Sequence, residues 1–222
     1  MSVEPALADL TLDELAVALA PTVAESAMFD GWSEAAVRAA AEIEGVDPDV
    51  ATLAYPGGAM DMIAAWIAHI DAAMAAALPP DTLATMKIRE RIRTLVQFRL
   101  DAVRGREEAL RRALAIQAMP QNAARSLKGG WNSADLMWRL AGDTATDYNH
   151  YTKRAILASI YGATLIAFLD DETPDKSETA AFLERRIDGV MRFEKTKARW
   201  LNSNREHFSV ARFLGRLRYP SR

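Results

Sequence analysis

The stretch AGDTATDYNHYTKRAIL, residues 141–157, holds Asp143, Thr144, Thr146, Asp147, Tyr148, Asn149, His150 and Tyr151. Carboxylate, hydroxyl, amide and imidazole groups this close together could do acid–base chemistry, with Asp147 and His150 as the pair, or could ligate a metal. The spacing argues against a metal. His69, His150 and His207 lie far apart, and no His-x-x-x-His pair exists. Asp147-x-x-His150 stands without the second copy and the facing glutamates that a four-helix di-iron site needs. The chain has no Cys, which removes disulfides, thiolate metal sites and thiol nucleophiles together. There is no Gly-x-Ser-x-Gly, no Walker loop and no Gly-x-Gly-x-x-Gly, and the PGG at 56–58 reads as a turn before a helix. The expectation is no catalytic set, no metal and no cofactor.

Helix punctuation accounts for part of the stretch. Gly142 suits a helix C-terminus. Thr144 and Asp147 fit the first and fourth positions of a capping box, and Asp143 and Asp147 both suit the positive end of a helix. The helix they would start, about 146–169, is apolar nearly all round after Arg154, which predicts a central place in a bundle. Its small residues (Ala155, Ala158, Ser159, Gly162, Ala163) suit either tight packing or the wall of an apolar cavity. For the cavity, Ile156, Ile160, Tyr161, Leu165 and Phe168, with Leu136 on the preceding helix, are the expected lining for a lipid chain.

The rest of the chain also reads as helix. Apolar residues recur at three- and four-residue steps, without alternating strand patterns. Breaks fall at Gly31, 45–48, 55–58, 78–80, 119–122, 141–146 and 170–177, which leaves about eight or nine helices and an all-α fold. Half of the 222 residues are hydrophobic and 26% are charged, a composition that folds as a soluble domain. The net charge of −3 hides an asymmetry. Residues 1–80 carry thirteen Asp/Glu against one basic residue, Arg38, a net of −12, and residues 81–222 carry +9.

Residues 31–58 resemble the helix-turn-helix of TetR-type regulators: a Gly-Trp step, a helix, Gly45-Val46 at the turn, a short helix, and a Tyr-Pro-Gly exit. Such a module needs cations and neutral donors against phosphates. Here Asp47 and Asp49 sit where phosphates would lie, so no nucleic-acid partner is expected, and a lipid-sensing TetR-type regulator is the alternative reading.

At the other end, Val210, Phe213, Leu214 and Leu217 share one helical face, and Arg205, Arg212 and Arg216 the opposite one. From Arg199 onward there are six Arg and one acidic residue, Glu206. The expected membrane-binding set is Val210, Arg212, Phe213, Leu214, Arg216 and Leu217, with docking on a bundle or partner as the other option. No uninterrupted apolar run of about 18 residues exists, so no bilayer span is expected. No signal peptide is visible at the N-terminus. The expected location is cytoplasmic, at the inner face of the membrane.

Residues 138–200 are similar to the coenzyme Q biosynthesis accessory family, the ninth of the numbered ubiquinone-biosynthesis proteins. The matching features are AGD-x-x-TD-aromatic-N-x-YTKRAIL, LDD-x-x-PD and FL-x-RRI-x-x-VM, with MPQN upstream. The resemblance implies a TetR-like, usually homodimeric helical fold and no catalytic activity. It also implies an apolar cavity for an isoprenoid lipid or ubiquinone intermediate, and a membrane-engaging C-terminal helix. The implied partner is a di-iron ubiquinone-biosynthesis hydroxylase, contacted through Met137, Asn149, His150 and Tyr151. The family commonly has Trp at the position of His150, so this chain offers a weaker apolar anchor there. The expected organisation is a helix-turn-helix module at 1–57, a lipid-binding domain at 58–200 and an amphipathic helix at 201–222. In this reading the lipid tail enters the bundle and the head group is presented to the hydroxylase.

Overall fold

A computed structural model describes residues 7–144 and 148–190. All regular elements among them are helices. A capping box starts α1 (Leu12–Asp30): Thr11 Oγ1 accepts from Glu14 N–H at 3.4 Å, and the Glu14 carboxylate accepts from Thr11 N–H at 2.9 Å. Ser33 caps α2 (Glu34–Glu44), which closes on Gly45 at φ 70, a left-handed conformation that suits glycine. Asp47 caps α3 (Pro48–Leu53), with Pro48 in its first turn. Alanines make the first contacts: Ala20, Ala24 and Ala27 of α1 and Ala36, Ala40 and Ala41 of α2 are fully buried, so the helices approach closely.

Next come α4 (Ala59–Ala77), α5 (Pro80–Leu83), α6 (Ile88–Val103) and α7 (Glu107–Gln117). The sequence breaks missed the turn between α6 and α7, where Gly105 takes φ 80, as well as the one-turn α5. Then follow α8 (Ala123–Leu140), α9 (Tyr148–Asp170) and a helical run at 177–190, α10. Helix α4 is the hub, packing on α1, α6, α7 and α8.

One core runs through the N-terminal helices and the body. Trp32 stacks against Trp66 with ring centroids 5.4 Å apart, and its Nε1–H donates to the Ala109 carbonyl at 2.9 Å. The Tyr55 hydroxyl donates to the Ala16 carbonyl at 2.7 Å. Burying these polar tips is tolerable because each has a partner.

One expectation needs correction. Helix α9 is not central: Leu157, Ile160, Leu165 and Phe168 are buried, but Tyr151, Ala155, Ser159 and Ile166 form an exposed face. Most residues there are small, so the helix scores as apolar without much area to bury. By length and composition alone, α4 and the 150–170 part of α9 match a membrane span, a test that core helices of folded bundles also pass. Counting uninterrupted runs overlooked this, because single polar residues such as His69 interrupt the run without lowering the mean much. Each of the two helices packs one face into the bundle.

Candidate ligand cavity and partner surface

The α8–α9 corner is held by charge. Helix α8 ends with Gly142 at φ 86, as its place in the sequence suggests. The chain then brings Asp143 back over α9, where its carboxylate meets Lys153 Nζ at 2.6 Å and Arg154 at 3.1 Å. Arg154 is itself buried, and its Nε–H also donates to Asp135 on α8 at 2.5 Å. Burial would raise the Asp143 carboxyl, but hydrogen bonds and charge from Lys153 and Arg154 outweigh it and hold it below the ordinary value. Asp143 is therefore the anchor of an ion-pair network, a role that its reading as helix punctuation did not include. Asp147, expected to form a capping box with Thr144 and an acid–base pair with His150, lies outside the described residues.

Beside this corner is an aromatic cluster. The His150 and Tyr151 rings meet edge-on at 5.1 Å, and Trp131 of α8 lies 6.4 Å from the first and 5.9 Å from the second. Tyr151 is 62% exposed, and Leu127, one turn before Trp131, is 76% exposed. Trp131 thus adds indole area beside the position where the resemblance implies a Trp in place of His150. The Asn149 side chain lies outside what is described. Met137 is fully buried; an α8 residue facing the core offers nothing to a partner, so its expected contact role is corrected to packing.

The expected lipid lining divides. Tyr161 and Leu165 line a cavity of about 160 Å³ bounded by α4, α6, α7, α8 and α9, together with Ala158 and Gly162. Ile156 and Ile160 instead line a separate cleft of about 70 Å³ with Ile88, Ile92, Trp138 and Ile187, beneath α10. Leu136 is half-buried against the core and Phe168 fully buried; they line neither space, which corrects them to packing residues. Helix α10 is clamped over its cleft by Arg89 to Glu184 at 2.5 Å and to Asp188 at 2.6 Å, and by Arg93 to Glu184.

Sequence reasoning missed the far walls of the larger cavity: Ile63, Trp66, Ile67 and Ile70 from α4 and Leu110 and Leu114 from α7. It also missed a charged residue on the wall, Arg99, which is 2% exposed and paired with Asp71. One available signal was Gly129-Gly130 inside α8, where glycine costs about 1 kcal/mol relative to alanine; both line the cavity. The expected membrane-binding residues Val210, Arg212, Phe213, Leu214, Arg216 and Leu217 lie outside the described residues.

The helix-turn-helix surface keeps the charge read from the sequence. Arg38 is engaged by Glu34 and by Asp49, each at 2.9 Å, and Asp47 caps α3. Among the described residues, no cluster of three His, Asp or Glu side chains is placed to hold a metal.

Comparison with known proteins begins with α8 to α10: residues 123–194 match the COQ9 family model. This segment is of the COQ9 family. Over 173 residues the chain is 32% identical to the ubiquinone biosynthesis protein COQ9, mitochondrial, of Rattus norvegicus, covering 75% of this chain and 55% of that protein. It is 31% identical to the Homo sapiens protein of the same name, covering 75% and 54%. The chain thus spans about half the length of the curated relatives it matches. The fold is TetR-like: a TetR transcriptional regulator from Nitrosomonas europaea superposes with a TM-score of 0.62 at 21% identity, covering 79% of this chain and 97% of the regulator. The COQ9-matching segment contains the ion-pair corner, the aromatic cluster and one wall of the cavity.

Proposed function

We propose that this chain serves ubiquinone biosynthesis as a non-enzymatic accessory protein that binds isoprenoid quinone intermediates at a membrane and delivers them to a partner hydroxylase. The observation that carries this reading is where the COQ9-family segment lies. Its helices α8 and α9 supply one wall of an apolar cavity, and the α4 and α7 walls are contributed by the TetR-like body. Apolar enclosure with few polar groups is the pattern of small-molecule sites. A polyprenyl quinone is too apolar to leave a bilayer unaided, so a protein acting on it must meet the membrane. The C-terminal Arg-rich segment is the proposed contact, at the inner face of the membrane, and the His150–Tyr151–Trp131 cluster is the proposed surface for a di-iron hydroxylase.

Native mass spectrometry of the full chain, released gently from membranes of its own cell, tests the reading. The expected result is a protein carrying adducts of isoprenoid mass. A chain that carries none, and takes up none from quinone-loaded vesicles, argues against it. Salt-sensitive, sequence-specific DNA binding at physiological ionic strength would favour a regulator instead.

A further inference from the structure

The cavity between α4 and α9 has a polar spot that a purely greasy pocket would not need. Arg99 lines it at 2% exposure. Its guanidinium pairs with Asp71 across the α4–α6 contact, and Ser133 Oγ donates to the other Asp71 oxygen at 3.1 Å. The Arg99 Nε–H is buried and has no hydrogen-bond partner among the described residues. Leaving a charged group's donor unsatisfied away from water is costly, so such a donor marks a place where an acceptor belongs. The Arg99 guanidinium carbon lies 4.8 Å from the centroid of the Tyr161 ring, which lines the same cavity. Trp66 contributes a second aromatic wall.

We propose that Arg99 and Tyr161 form a recognition site for an uncharged ring bearing an acceptor oxygen, such as a quinone carbonyl. Three observations set that chemistry. The pair with Asp71 cancels the charge of Arg99, and among the described residues no other Lys or Arg lines the cavity; Arg125, on the adjoining cleft, is already paired with Asp61, so a carboxylate or phosphate would bring a second negative charge beside Asp71 without a second uncommitted cation. A neutral carbonyl needs only the spare N–H. At about 160 Å³ the cavity is smaller than the roughly 300–1,000 Å³ of sites for larger ligands, which suits one ring and not a long chain. An outer cleft of about 170 Å³ shares Ile63, Ile67, Gln117, Ser126 and Gly129 with the cavity and has Asp71 on its own wall. A tail leaving the ring runs out along this α4–α8 seam. The ligand therefore enters ring first, the reverse of the tail-first expectation.

This inference rests on the quinone-binding reading above and is tested apart from it. Calorimetry on the full chain compares three probes: a ubiquinone with one isoprene unit, an alkylbenzene of equal length, and benzoate. The wild-type chain is expected to prefer the quinone to both. Arg99→Met combined with Asp71→Asn avoids stranding a buried carboxylate. It is expected to weaken the quinone at least tenfold and leave the alkylbenzene within twofold. Arg99→Lys keeps a cation for Asp71 but lacks the guanidinium N–H, and should discriminate in the same direction. Equal binding of quinone and alkylbenzene, tighter binding of benzoate, or quinone affinity unchanged in the variants overturns the site. If native mass spectrometry still finds isoprenoid adducts, the accessory function survives that result. If none of the three probes binds, the site falls, and only the adduct experiment bears on the function.

Discussion

Asp143 and Arg154 face one another at 3.1 Å with side chains only 6% and 2% exposed. A pair this buried is held by geometry and by second partners, here Lys153 for the aspartate and Asp135 for the arginine. Removing one member leaves a charge partly uncompensated in a low-dielectric setting, which costs about 3–5 kcal/mol. Asp143→Ala is expected at the lower end, about 3 kcal/mol, because Asp135 remains. Chemical denaturation followed by circular dichroism measures it, and a loss under about 1 kcal/mol would show that Asp135 alone satisfies Arg154.

Asp171 predicts a pH dependence. Burial would raise its carboxyl, but Thr173 and Thr179 each donate a hydroxyl and a backbone N–H to it at 2.5–2.9 Å, and together they hold it well below the usual carboxylate range. A depressed native value stabilises the fold above the unfolded aspartate value of about 3.9, and the contribution is lost as pH falls below that. The melting-temperature gap between wild type and Asp171→Asn should therefore be full at neutral pH and narrow in acid. A gap that widens on acidification contradicts the hydrogen-bond account.

For the membrane, Phe213→Asp and Leu217→Asp are each expected to abolish binding to vesicles containing anionic lipid while helicity persists. Sedimentation with liposomes reads this directly. Vesicle binding that survives both changes would mean the segment packs on protein instead.

At the proposed partner surface, Trp131→Ala and Tyr151→Ala are expected to weaken capture of the proposed hydroxylase partner at least tenfold, since aromatics dominate such contacts. Tyr151 is mostly solvent-exposed, so its removal should shift the melting temperature little. His150→Trp, which adds indole area at the same patch, is expected to tighten capture.

Much of the helical layout was legible because its signals are local. Gly45 and Pro48 mark helix ends through backbone chemistry that neighbouring residues decide alone. The buried charges were not legible. Arg99 and Arg154 sit in helices where a lone arginine reads as a solvent-facing residue, and only Asp71, Asp135 and Asp143 from other segments make burial possible. The division of the α9 residues between two spaces was hidden likewise. Ile156 and Ile160 face the start of α6 and α10, and Tyr161 and Leu165 face the cavity walled by α4, α7 and the end of α6, a distinction set by neighbours and not by helical spacing.

The indole of Trp32 has a mechanical consequence. A ligand-responsive regulator must let its reading head swing against its sensing body. In this chain such a swing would break the Trp32 bond to Ala109, part the two tryptophan rings, and pull Arg112 from the carbonyls of Ala27 and Phe29. The front of the molecule is therefore splinted to its body. Trp66, one half of that splint, also lines the cavity, so the cavity wall and the first three helices are held together through a single residue.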